Sequence, residues 1–114
     1  MSIPQHSHGN AIKKLQDAWH RLNERPYPRK SSDPGVAALY DELVQVDEAM
    51  TERLRKLIAG QPVNRLDFDP PIDFLDRLKS ASNLPTAAAN EARIYIDYVS
   101  DLYQVLRLAK LIAH

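Results

Sequence analysis

The sequence predicts an all-α protein, an antiparallel bundle of three to four helices in which two helices, at about 34–59 and 85–113, are long. Composition is the first observation: of 114 residues, Leu and Ala supply 27, whereas Thr supplies 2 and Gly 3, which is unlike a sheet protein. The second is the spacing of the eight prolines, which leaves long proline-free stretches. The third is that apolar residues recur three and four positions apart and no run alternates.

The first helix is predicted over about 10–25. Its apolar residues recur at helical spacing, and they are Ile12, Leu15, Trp19 and Leu22. The helix ends before Pro26, because proline pushes the preceding residue out of the α region. Residues 1–9 are expected to be a mobile N-terminal tail, and residues 10–114 to form a single helical bundle domain.

The other helices are predicted from their end signals. Asp33 is placed to cap the second helix, and Gly60 is a natural stop at its C-terminal end. A short third helix is expected at about 70–81, capped by Asp69, with Ile72 facing inward. The fourth helix begins at Pro85, which suits a first helical turn.

Charge and cysteine content narrow the function classes. Lys and Arg total 15, as do Asp and Glu, so a nucleic-acid or anionic-membrane binder is disfavoured. The lack of cysteine excludes a disulfide scaffold, a thiolate metal site and a cysteine nucleophile. The first residues do not resemble a secretory signal, and charged residues interrupt the longest apolar stretch. We expect a cytoplasmic protein that does not cross a membrane.

Charge is unevenly divided along the chain. Residues 1–30 hold six basic and two acidic side chains, whereas residues 31–52 hold six acidic side chains and no basic ones. Neighbouring antiparallel helices of opposite bias attract each other, although each exposed pair contributes little. The sequence therefore predicts that helix 1 packs beside helix 2.

One carboxylate, Asp47, falls on the apolar face of the second helix. At 100° per residue it lies about 20–30° from the centre of that face. A buried charge is costly unless it is paired, hydrogen-bonded or protonated. Because the middles of antiparallel helices 2 and 4 lie side by side, we expect Tyr95 or Tyr98 to be its partner. Asp47 is interpreted first as a buried polar residue that fixes helix register, and second as a functional carboxylate.

Metal and catalytic motifs are not recognisable in the sequence. Helical bundles that bind metals use Glu-x-x-His or Glu-x-x-Asp pairs, and neither pattern occurs here. Three scattered glycines cannot build a phosphate-binding loop. The basic segment around Tyr27 could contact nucleic acid, but a solvated loop explains it better. We predict no catalytic residue, no metal site and no cofactor.

The fourth helix carries more apolar side chains than one face can hold. Ile96 and Tyr103 lie off its main apolar face on one side, and Leu108 and Leu111 lie off it on the other. Either the helix is central in the bundle or part of this surface meets another subunit. Because helix 3 is short and helix 1 cannot span about 40 Å, we predict that these four residues form an interface.

These features together suggest a small soluble helical interaction protein. The simplest form is a homodimer joined through the long helices, and an unidentified protein partner is a second form. The alternative is a small helical enzyme that uses acidic residues around Asp47 with a divalent metal. An enzyme should show several carboxylates converging on a pocket, whereas an interaction module should show an exposed apolar stripe.

Overall fold

The computed structural model describes residues 3–113, with side chains from residue 9 onward. The elements in chain order are α1 (Ile3–Glu24), α2 (Pro34–Ile58), a 3-10 helix (Arg65–Phe68), α3 (Ile72–Ser82) and α4 (Ala88–Ile112). Helix accounts for 77% of the chain and the described residues contain no strand, which confirms the predicted all-α bundle with two long helices. The predicted start of the fourth helix at Pro85 is wrong, since α4 starts at Ala88. None of the helices found within residues 3–113 is both long and apolar enough to span a bilayer.

The central element of the bundle is α4. The helices α1, α2 and α3 and the 3-10 helix all pack against it. Its buried side chains form the middle of the core, and they include Tyr95, Tyr98, Val99, Leu102, Val105, Leu106, Ala109 and Ile112. The predicted packing of helix 1 beside helix 2 is not among the main contacts: α2 packs mainly on α4, α3 and the 3-10 helix, and α1 packs mainly on α4. Burial of apolar surface on α4 outweighs the weak attraction between exposed charges.

Both ends of α2 follow the signals in the sequence. The carboxylate of Asp33 accepts hydrogen bonds from the backbone N–H groups of Gly35 at 3.0 Å and Val36 at 3.1 Å, which caps the N-terminus. At the C-terminus Gly60 adopts a positive φ of 76°, which suits glycine. The N–H of Gln61 then reaches the carbonyl of Lys56 at 2.9 Å and closes a Schellman turn.

The first helix begins earlier than the sequence analysis places it. Helix α1 starts at Ile3, so Pro4 falls in its first turn, where proline is tolerated. The predicted mobile tail over 1–9 therefore coincides in part with α1. Residues 1 and 2 of that tail lie outside the described residues.

The prediction that Asp69 caps the third helix is wrong. Asp69 follows the 3-10 helix and pairs with Lys110 of α4 instead. Helix α3 starts at Ile72 without a side-chain cap, because two prolines occupy the positions before it. The buried residues of α3 are Phe74, Leu78 and Ala81, whereas Ile72, which the spacing places on the inner face, is exposed.

Candidate functional site

The carboxylate of Asp47, in the middle of α2, is half-buried and accepts hydrogen bonds from two tyrosine hydroxyl groups. Tyr98 of α4 donates to Oδ1 at 2.8 Å, and Tyr27, from the loop between α1 and α2, donates to Oδ2 at 3.4 Å. Asp47 lies three or four residues from Leu43 and Met50, which are both buried, so the helical period turns it toward α4. Of the two expected partners, Tyr98 is the one that reaches it.

Tyr95 holds the loop between α1 and α2, which we call the strap (residues 25–33). Its hydroxyl donates to the carbonyl oxygen of Arg29 at 2.6 Å and accepts the backbone N–H of Ser31 at 2.9 Å. Tyr95 is 1% exposed and Ser31 5%, so water cannot easily replace these bonds. One side chain of α4 thereby satisfies two backbone groups of the strap.

Four aromatic rings pack around these hydrogen bonds, and we call Tyr27, Tyr40, Tyr95 and Tyr98 the tyrosine cluster. The ring of Tyr27 meets that of Tyr98 edge-on, with the centroids 5.3 Å apart, and that of Tyr40 at 6.5 Å. Tyr40 in turn packs on Tyr95 at 5.7 Å. Such arrangements are favoured by the ring quadrupoles and bury the apolar part of each tyrosine. The cluster therefore joins the strap, α2 and α4.

Two ion pairs hold the ends of the strap. Arg25 lies against Asp101 of α4, and the Nζ of Lys30 is 3.0 Å from Oδ1 of Asp41 on α2. All four side chains are exposed, so each pair contributes little to stability. The basic segment, which the sequence analysis interprets as a solvated loop, therefore has exposed Arg and Lys side chains, but its backbone is held by Tyr95.

Burial governs the protonation of the groups at this site. Desolvation raises the pKa of Asp47 above its ordinary value of 3.8, and the hydrogen bonds from Tyr98 and Tyr27 oppose that rise. Burial and the nearby charge of Asp47 also raise the pKa of both tyrosine hydroxyls. Tyr27 and Tyr98 consequently remain protonated donors at neutral pH.

The contacts of Asp47 favour its interpretation as a residue that fixes the register of α2 on α4. Each of its two oxygens already accepts a hydroxyl group from the tyrosine cluster. Within residues 3–113, no group of three or more His, Asp or Glu side chains is arranged to hold a metal ion. The hydrogen bond from Tyr27 to Asp47 anchors the strap to α2.

The four side chains of the predicted interface lie in different environments. Ile96 and Tyr103 are half-buried against the core, and the Tyr103 hydroxyl donates to the carbonyl of Pro71 at 2.8 Å. Leu108 is half-buried in a groove between α1 and α4, whereas Leu111 in the same groove is 77% exposed. The segment before α3 therefore covers the Tyr103 side of α4, and the Leu111 side is open.

Two contacts at this site were not predicted from the sequence: that of Tyr27, considered there only as part of a basic loop, with Asp47, and that of Ser31 with Tyr95. The available signal is that Tyr27 stands between Pro26 and Pro28. Flanking prolines restrict the backbone and indicate an ordered loop. They do not specify which helices the loop packs on, so the contact itself requires the tertiary structure.

Comparison of the chain with protein-family models, with curated proteins and with solved structures finds no match. The functional argument therefore rests on the geometry described above.

Replacing Asp47 by Asn should flatten the dependence of stability on pH. The folded-state pKa of Asp47 is raised, so the carboxyl binds its proton more tightly in the folded chain than in the unfolded one. Its contribution to the free energy of unfolding is greatest below pH about 4 and falls as the pH rises through the raised pKa. The asparagine side chain cannot ionise but keeps an oxygen that can accept from Tyr98.

Urea unfolding of both proteins between pH 3 and pH 7 measures this effect. The stability of the Asn variant relative to the parent should increase toward pH 7. Asp17→Asn, which changes an exposed carboxylate of α1, keeps Asp47 and should therefore keep the pH dependence of the parent. If the free energy of unfolding changed with pH in the same way in the parent and in Asp47→Asn, Asp47 would not be the cause of the pH dependence.

Proposed function

We propose that the protein is a small cytoplasmic interaction protein that self-associates through the open side of α4. The observation that carries this proposal is Leu111, a large apolar side chain that is 77% exposed in the last turn of α4. The other large apolar residues of that turn and the one before it are buried or half-buried. Single exposed leucines are common on protein surfaces, but this one shares a groove with Leu108 and so forms part of a larger apolar surface that another chain can cover.

The surroundings of Leu111 support a binding surface. A shallow groove between α1 and α4 contains it, and the groove is lined by Asn10, Ala11, Lys14, Leu108 and Leu111. Apolar side chains inside a polar border are typical of the centre and rim of protein interfaces. Asn10 and Lys14 are the polar members of this border, and both are exposed.

The groove alone is small for a stable interface. A stable dimer removes about 800 Å² of each subunit from solvent. The exposed face of α4 continues from Leu111 toward the N-terminus of the helix and offers further surface. Self-association through α4 therefore uses both the groove and this face.

Leu111→Arg should convert a dimer into a folded monomer, because a charge on the interface would have to be desolvated and would lie beside Lys14 of the same groove. Sedimentation velocity at tens of micromolar measures the mass of the parent and the variant, and circular dichroism confirms that both are helical. Leu66→Arg is the matched control. Leu66 is also strongly exposed, at 67%, but belongs to the 3-10 helix. A monomeric parent at this concentration would contradict the proposal.

A further inference from the structure

The face of α4 that points away from the core carries a regular set of side chains, which we call the outer stripe. Its members are Arg93, Asp97, Ser100, Gln104, Arg107 and Leu111. Ser100 is half-buried and the other five are exposed. At 100° per residue the stripe lies opposite the side chains that α4 buries, such as Leu102 and Leu106.

Two charged residues of the outer stripe differ from its third charged residue, Arg93, and from Asp101 and Lys110 elsewhere on α4. Asp101 pairs with Arg25, Lys110 pairs with Asp69, and Arg93 donates to neighbouring oxygen atoms. Asp97 and Arg107, in contrast, take part in none of the ion pairs or side-chain hydrogen bonds formed among the described residues. They lie ten residues apart, about 15 Å along the helix, so they cannot pair within one chain.

We propose that the outer stripe binds the outer stripe of a second copy in antiparallel orientation, with the two-fold axis at the level of Leu102. This inference rests on the self-association proposed above and specifies its geometry. Asp97 lies five residues before Leu102 and Arg107 five residues after it. The antiparallel arrangement therefore places Asp97 of each copy opposite Arg107 of the other.

The remaining members of the outer stripe fit the same register. Ser100 and Gln104 lie two residues on either side of Leu102, so each faces the other across the axis and can form a hydrogen bond. Arg93 and Leu111 lie nine residues on either side, so Leu111 packs on the aliphatic part of Arg93 in the second copy. A two-fold axis repeats every contact, as an isologous interface requires.

Charge complementarity distinguishes a second copy in this orientation from other occupants. Asp97 and Arg107 carry opposite charges at equal distances from one point, and an antiparallel copy presents the opposite sign to each of them. A parallel copy would place Asp97 against Asp97 and Arg107 against Arg107, which is unfavourable. The small side chain of Ser100 lies close to the axis and allows the two helices to approach.

Charge exchange tests this register. Asp97→Arg places two arginines opposite each other at both ends of the interface, and Arg107→Asp does the same with two aspartates. Each variant alone should weaken the dimer roughly tenfold or more, as measured by sedimentation equilibrium. The double variant, with both changes in one chain, should restore the parent dissociation constant to within about threefold.

Mixing the two single variants gives a sharper readout. The arginine introduced by Asp97→Arg would face the aspartate that Arg107→Asp introduces in the other chain. At the opposite end of the interface, the unchanged Arg107 of the first variant would face the unchanged Asp97 of the second. The equimolar mixture should therefore form a heterodimer although neither variant forms a strong homodimer. Native mass spectrometry detects this species, since the two chains differ in mass.

The outcomes separate the register from the proposed function. A parent that is dimeric while the single variants dimerise equally well would overturn the register but leave self-association standing. Single variants that weaken the dimer without recovery in the mixture or the double variant would also overturn it. A monomeric parent would overturn both.

Discussion

Leu102→Ala should lower the free energy of unfolding by about 2–5 kcal/mol, the range for large-to-small changes in a core. Leu102 is 1% exposed and lies in the middle of α4, the helix on which all the other elements pack. Truncation leaves a cavity in the core around α4. Small domains are stable by about 5–15 kcal/mol, so the loss is a large fraction of the total.

Urea unfolding followed by circular dichroism measures the effect of Leu102→Ala. Leu66→Ala makes the same chemical change at a position that is 67% exposed. It should change the free energy of unfolding by no more than about 0.5 kcal/mol, as is usual for surface positions. Equal effects of the two substitutions would contradict the central position of α4.

Tyr95→Phe should destabilise the fold by about 1–3 kcal/mol, the cost of leaving a buried polar group without its partner. The substitution keeps the ring but removes the hydroxyl that donates to the Arg29 carbonyl and accepts the Ser31 N–H. Ser31 is 5% exposed, so water cannot readily reach the N–H that is left unpaired. The strap should therefore detach more often from α4.

Tyr40→Phe provides the matched control for Tyr95→Phe. Tyr40 belongs to the same cluster, with its ring 5.7 Å from that of Tyr95, but its hydroxyl makes none of the hydrogen bonds found among the described residues. Trypsin reports directly on the strap, since it can cleave after Arg29 and Lys30. Cleavage there should accelerate in Tyr95→Phe and stay at the parent rate in Tyr40→Phe. Unchanged cleavage of both would show that Tyr95 does not hold the strap.

Local signals in the sequence were sufficient for the class of fold and for the ends of α2. The cap at Asp33 and the stop at Gly60 each act within a few residues, so neighbouring residues determine them. The helical period likewise turns Asp47 toward the core side of α2. The same kind of reasoning misplaced Asp69, because two prolines separate it from the start of α3 at Ile72, and its carboxylate pairs with Lys110 of α4.

The candidate site could be predicted only in part for a related reason. A tyrosine of α4, Tyr95 or Tyr98, as donor to Asp47 follows from the pairing of α2 with α4, which the lengths and antiparallel order of the helices suggest. The choice of Tyr98 requires the structure. Tyr27 reaches the same carboxylate because the strap crosses both helices. A loop follows no helical period, so its sequence does not state which surface it covers.

The sequence by itself determined that the chain is helical, where α2 begins and ends, and which face of α2 is apolar. Only the tertiary structure decided that α4 is central, that Tyr95 anchors the strap, and that Leu111 is exposed while Tyr103 is half-buried. The physical reason is the range of the forces involved. Capping and helical periodicity act over three or four residues, whereas the arrangement of helices depends on the total apolar surface that elements far apart in the chain bury together.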